Sequence, residues 1–198
     1  MNGDPTPGRS RPSTGATGDQ ASRSTLKALG LVLVLLAGFA LLPRLLRPLH
    51  PAGIGHDAPD WMLPLVANGA SVGKDDGTLR LSELRGQAVL MDFWATWCEP
   101  CRIEAPIVDQ LARRWRDRGL VAVGVDTDGP DQGDPRAFAL ARGLSYPIVH
   151  DTVGAASHAY GVEDLPTLVV VSRTGKIVAV RTGVTDDGEL ERLVREAL

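Results

Sequence analysis

Cysteine is scarce: the 198-residue chain has two, at positions 98 and 101. Histidine is nearly as rare, with four, at positions 50, 56, 150 and 158. A zinc site needs a further Cys or His pair at short spacing, and these histidines do not supply one, so no metal is expected. Arg102, not histidine, follows the second cysteine, which excludes covalent haem attachment. No cofactor is expected. Excess positive charge is missing as well. From Asp57 onward there are 15 Lys and Arg against 22 Asp and Glu, a net charge of −7. A nucleic-acid partner calls for a basic face, and a polybasic grip on lipid does too, so both are disfavoured. No internal repeat is visible.

Long hydrophobic runs are limited to one. Residues 1–25 are mostly Gly, Pro, Ser, Thr, Asp and Arg, too poor in apolar surface to offset the entropy of ordering, and read as a disordered cytoplasmic tail. Ala28 to Leu42 is then an unbroken apolar run of 15 residues. As a helix it covers roughly 22 Å, short of a hydrocarbon core of about 30 Å. Two readings stay open over 26–46. One is a transmembrane anchor, extended by Leu45, Leu46 and Leu49, with Lys27, Arg44 and Arg47 reaching to the interfaces. The other is a signal segment cleaved after Ala40, although 40 residues is long for a signal peptide. Arg9, Arg11, Arg23 and Lys27 ahead of the run keep the N-terminus in the cytoplasm and place the rest of the chain outside. Residues 47–56 open the Pro/Gly linker "RPLHPAGIGHDAPD", and 57–198 form the folded domain.

Within that domain, "TLRLSEL" (78–84) alternates and turns at Gly86. "AVLMDFW" (88–94) reads as a buried strand interrupted only by Asp92. From Pro100 a helical period sets in, with Ile103, Ile107, Leu111 and Trp115 on one stripe beside Val108 and Ala112, and Gly119 as its stop. "LVAVGV" (120–125) is a second buried strand, which makes a βαβ unit with parallel strands. Asp134 and Pro135 start a helix that ends near Gly143. "YPIVHD" is a short strand and "GAASHAY" a helical turn. "PTLVVVS" and "KIVAVRT" are strands of a hairpin around "RTG". "DDGELERLVREAL" closes the chain as a helix with Leu190, Leu193, Val194 and Leu198 on one face.

The two cysteines sit in "FWATWCEPCRIEAP", at the strand-to-helix junction. A bridge that closes two intervening residues is a poor staple, because it removes little chain entropy. It is a good redox couple. Cys98 at the helix N-terminus has free N–H groups and the positive end of the macrodipole to stabilise a thiolate, and Cys101 lies one turn on, more covered. Glu99 adds a negative charge beside Cys98, which works against the thiolate and pushes the couple toward donating electrons. His150 and His158 read as surface or loop residues. Asp126 and Asp128, at a strand end, read as capping and solvating acids, and Arg113, Arg114, Arg116 and Arg118 as a solvated helix face.

"DFWATWCEPC" resembles the thioredoxin active-site strand and turn. "GVEDLPTLVVVSRTGKIV" (161–178) resembles the segment that carries the cis-proline of that fold. The nearer resemblance is to the membrane-anchored TlpA/ResA/DsbE-like branch, through "CEPC", Glu104 three residues after the second cysteine, "APD" at the domain's start and "LSELRG". It covers about residues 57–198. It implies an α/β thioredoxin-like fold, with a central mixed β-sheet flanked by helices behind one N-terminal membrane segment.

The resemblance also implies roles. Cys98 is the exposed nucleophile and Cys101 the resolving thiol. Leu165 and cis-Pro166 pack against the disulfide and present a backbone edge to substrate. Trp97, with Glu99 and Pro100, contacts partners, and Trp94 belongs to the core. Asp92 matches the thioredoxin aspartate proposed to move the resolving thiol's proton. The branch often has a neutral residue there, so this chain departs toward thioredoxin. Glu104 tunes the thiols and assists proton transfer. The activity implied is reduction of protein disulfides outside the cytoplasm, with apocytochrome c as candidate substrate and a membrane thiol-disulfide electron donor. Three alternatives stay open: an oxidase of folding proteins, a redox-inert binding module, and a peroxiredoxin-like peroxidase, for which the Pro and Thr ahead of a lone nucleophile are missing.

Overall fold

The computed structural model describes residues 53–74 and 77–198, together with Gly30 and Val32. The sequence expectations for the tail, and nearly all of those for the apolar run, lie outside the described residues. Among the described residues no helix is long and apolar enough to cross a membrane.

Seven strands form one mixed sheet in the order β2-β1-β5-β4-β3-β6-β7. They are β1 (Met62–Ala67), β2 (Thr78–Arg80), β3 (Ala88–Trp94), β4 (Leu120–Asp126), β5 (Ile148–His150), β6 (Thr167–Val171) and β7 (Ile177–Thr182). The three central strands are parallel: β3 pairs with β4 from Ala88↔Leu120 to Trp94↔Asp126, and β4 pairs with β5 up to Asp126↔His150. Their carboxyl ends therefore share one edge, where open α/β sheets place their ligand sites. β6 runs antiparallel to β3, with Thr167 opposite Phe93, so Pro166 stands at that same edge.

Alternation along β3 sorts its side chains between two layers. Leu90 and Trp94 join a core formed with α1 (Glu99–Trp115), α2 (Pro135–Ala141) and α4 (Asp187–Ala197). Met91 and Phe93 join the opposite core, which holds Trp61, Leu63, Leu79 and α3 (Ala155–Tyr160). Asp92, between them, faces the α1 layer.

Several expectations change. The "TLRLSEL" strand is only Thr78–Arg80, after which Leu81–Leu84 turn as a 3₁₀ helix that buries Leu81 and Leu84. β1 has no counterpart in the sequence reading. The stripe assigned to α1 is rotated. Ile103 is 60% exposed, while Glu104, Ala105, Val108, Asp109, Leu111, Ala112 and Trp115 are buried. Two carboxylates on the inward face hid the true stripe from a count of apolar residues. Their burial is possible because each finds donors: Asp109 takes the Ser145 N–H and Oγ–H and the Arg113 guanidinium, and Glu104 takes a backbone N–H. In α4, Ala197 takes the buried place expected of Leu198, which is half-buried.

Candidate active site

β3 delivers the chain to its carboxyl edge at Trp94, whose ring stacks on Phe138 at 4.2 Å. Ala95 to Cys98 then form a turn closed by the Cys98 N–H donating to the Ala95 carbonyl at 3.1 Å. Cys98 is the N-cap of α1, and its sulfur accepts the Cys101 N–H at 3.2 Å. Pro100 sits in the first turn, where its missing N–H leaves no intrahelical bond unmade. The helix continues through Pro106 to Trp115. Cys98 and Cys101 are joined as a disulfide, with Cα atoms 5.3 Å apart.

Cys98 retains 3% of its surface and Cys101 1%. The expectation of an open nucleophile is therefore not met in the disulfide form: both sulfurs lie within the α1-side core. Exposed beside them are Trp97, at 66%, Glu99 and Pro100. The Leu165–Pro166 bond is cis. The Pro166 carbonyl accepts the Gly183 N–H at 2.8 Å. Leu165 is half-buried and packs against both core layers. Glu99 is exposed and pairs with Arg102 at 2.9 Å, which offsets part of its charge.

Two buried acids meet on the inner side of α1, Glu104 on the helix itself and Asp92 on β3. Asp92 is buried on β3, with Oδ2 accepting the Tyr146 hydroxyl at 3.1 Å and no hydrogen-bond partner for Oδ1 among the described residues. Burial, then the charge of Glu104, push its carboxyl well above the usual range. Glu104 is fully buried, not solvated. The Thr185 N–H donates to its Oε1 at 2.8 Å, while Oε2 is unpartnered among the described residues. Burial raises its pKa to about 7, against the hydrogen bonds from Thr185. The charge of Glu104 thus raises the cost of ionising Asp92, and Glu104 itself can hold or release a proton near neutral pH.

Comparison with known proteins places this geometry. The AhpC/TSA family matches residues 54–180. The thiol-disulfide oxidoreductase ResA of Bacillus subtilis is 31% identical over 153 residues, which is 77% of this chain and 80% of ResA. The chain belongs to the ResA/DsbE-like thiol-disulfide oxidoreductases. A Chlorobium tepidum structure named for the thiol:disulfide interchange protein DsbE superposes with a TM-score of 0.65 at 30% identity, over 74% of this chain and 98% of that one. The exposed lipoprotein thioredoxin Etrx1 of Streptococcus pneumoniae gives a TM-score of 0.56 at 28% identity, over 70% and 99%.

This ResA/DsbE-like protein carries features near its cysteines that sequence reasoning missed. Tyr146 and Thr185 are the partners of Asp92 and Glu104, yet they lie 54 and 81 residues away in the chain. Only the strand order brings them close. Asp126 and Asp128 do not solvate a loop: both have no exposed surface. Burial, then the charge of Asp128, raise the Asp126 pKa to about 8. His150 is half-buried rather than a free surface group, with Nε2 3.3 Å from Asp126 Oδ2 and 2.9 Å from the Asp128 carbonyl.

Proposed function

We propose that the chain reduces protein disulfides outside the cytoplasm, with residues 57–198 as the catalytic domain and 26–46 as its tether, behind a cytoplasmic tail. The reading rests on one observation above all: a cysteine pair that caps a helix N-terminus at the edge where cis-Pro166 also stands. In the reduced form, the Cys98 thiolate attacks a substrate disulfide. One substrate sulfur leaves as a thiolate, which takes a proton, and the other stays bound to Cys98. Cys101 loses its proton and attacks Cys98, which releases the second substrate thiol and re-forms Cys98–Cys101. Asp92 and Glu104 are the groups proposed to accept and return the Cys101 proton: Glu104 titrates at about 7 and so exchanges a proton near neutral pH, and Asp92, buried beside it, binds a proton more firmly than an ordinary carboxylate.

Substrate contact falls to Trp97, Glu99, Pro100, Leu165 and Pro166. Apocytochrome c is the proposed substrate class and a membrane thiol-disulfide carrier the electron donor, as the TlpA/ResA/DsbE-like branch implies. The apolar run with basic residues ahead of it supports a domain held outside, and the pneumococcal relative is itself an exposed lipoprotein. The test is a trap. Cys101→Ser leaves the attacking sulfur and removes the resolving one, so mixed disulfides through Cys98 accumulate on the full-length chain and are released by dithiothreitol. A variant that binds partners only non-covalently points to the redox-inert module.

A further inference from the structure

The turn that leads into Cys98 is gripped by a residue outside the cysteine motif. Thr96 is the second residue of the Ala95–Cys98 turn. Its peptide N–H donates to Asp128 Oδ2 at 3.0 Å, from the loop that follows β4. Its carbonyl accepts Arg102 Nη2 at 3.2 Å, and Arg102 in turn pairs with Glu99. One residue before the turn, the Trp94 carbonyl accepts both the N–H and the hydroxyl of Thr127, at 2.9 and 3.1 Å. The contact is closely built. A Cβ placed on Gly133 would stand 1.9 Å from Thr96 Oγ1 and 2.8 Å from Asp128 Oδ2, and Gly133 has a φ of +66°.

Asp128 is itself fixed. Its N–H donates to Asp126 Oδ1 at 3.4 Å, and its carbonyl faces His150 Nε2 at 2.9 Å. Its other carboxylate oxygen, Oδ1, is buried without a hydrogen-bond partner among the described residues. A capping acid would be expected to turn such an oxygen to water, because a buried unpartnered acceptor costs free energy. Here the acid is held inward, with one bond to the turn that carries the sulfur.

We propose that Asp128 is a positioning residue for the attacking sulfur: by holding the Thr96 N–H it fixes the Ala95–Cys98 turn and so keeps Cys98 on the free N–H groups of α1. A thiolate at an N-cap is stabilised only while it stays aligned with those donors. Slackening the turn costs the thiolate more than the thiol, so the Cys98 titration midpoint should rise. The inference rests on Cys98 being the attacking group.

The experiment is the pH dependence of iodoacetamide alkylation at position 98, on the full-length chain reduced with dithiothreitol. Asp128→Ala should slow alkylation at pH 7 roughly three- to tenfold, the range of one ordinary hydrogen bond. Its midpoint should move up by as much as about one pH unit. Asp128→Asn keeps an acceptor for the Thr96 N–H and should restore the rate to within about twofold of the parent, well inside the span of that one bond. Should Asp128→Ala not accumulate as folded protein, Asp128→Ser, which shortens the reach and keeps a polar atom in the site, is read the same way. If Ala and Asn both lower the midpoint, Asp128 acts by its charge and the inference is overturned. An unchanged midpoint with only a lower melting temperature makes it merely structural and overturns it too. A parent protein that is not alkylated at position 98 sinks the proposed function instead.

Discussion

Glu104 shows how one side chain links stability to chemistry. Its pKa in the fold is about 7, against 4.5 for an ordinary glutamate. Between those values the folded chain binds more protons than the unfolded one, so stability falls as pH rises. The contribution is full below pH 4.5 and lost once pH passes 7. One pKa unit is 1.36 kcal/mol, which puts an upper bound of about 3.5 kcal/mol on the loss. Glu104→Gln keeps an acceptor for the Thr185 N–H and abolishes the charge. It should stabilise the oxidised protein by about 1–3 kcal/mol at pH 8 and by little at pH 5. Urea midpoints at the two pH values check this; an equal gain at both would mean that packing, not ionisation, is at work. The acid itself was legible in the sequence through its place after "CEPC". Its burial was not, because the covering loop at Gly183 to Asp186 comes some eighty residues later.

At the scale of elements, the parallel strands were readable because β3 and β4 are continuous apolar runs, the mark of strands covered on both faces. The β6–β7 hairpin was readable from its two strand-like segments around "RTG", and the cis-proline at its head from the resemblance to the thioredoxin segment. β1 was not. Pro64 within "MLPLVA" argues against a strand, yet Pro64 pairs with Thr78 in the antiparallel register with β2. α1 was placed correctly and turned wrongly, since a stripe counted from Ile103 cannot anticipate buried Glu104 and Asp109.

The seat of the redox edge on β4 depends on a small residue. A Cβ on Gly124 would stand 2.7 Å from Ile148 Cδ1, 2.8 Å from Trp94 Nε1 and 2.9 Å from Tyr146 Cε2. All three side chains belong to the core beside the cysteines. Gly124→Ala should therefore cost about 1–3 kcal/mol by overpacking. Because Tyr146 also carries the bond to Asp92, the variant should shift the pH profile of disulfide reduction as well as the melting temperature. A pure loss of stability with an unmoved profile would separate the sheet's packing from the proton-transfer role proposed for Asp92 and Glu104.

For the whole molecule, the direction of electron flow is a statement about two folded states. The potential of the couple measures how much better the fold accommodates the disulfide than the dithiol, relative to the unfolded chain. A reductant is stabilised by its disulfide, whereas a strong oxidant is more stable reduced. The fold described here holds a disulfide between two buried cysteines, with Glu104 one turn on along the same helix, and burial resists the ionisation of both Glu104 and Asp92. A thiolate formed at Cys101 would add negative charge to that same region, which opposes the reduced state once the acids ionise. The bridge also closes a very short loop, worth only about 2 kcal/mol by chain entropy, so the reduced form should remain folded. The oxidised chain should accordingly melt higher than the dithiothreitol-reduced chain, by roughly 4–8 °C for a domain of this size. The gap should widen above pH 7, where Glu104 loses its proton in the fold. Scanning calorimetry of both forms at pH 6 and pH 8 reads the sign directly. A reduced chain that melts higher than the oxidised one would reverse the assignment and make the protein an oxidase of folding chains.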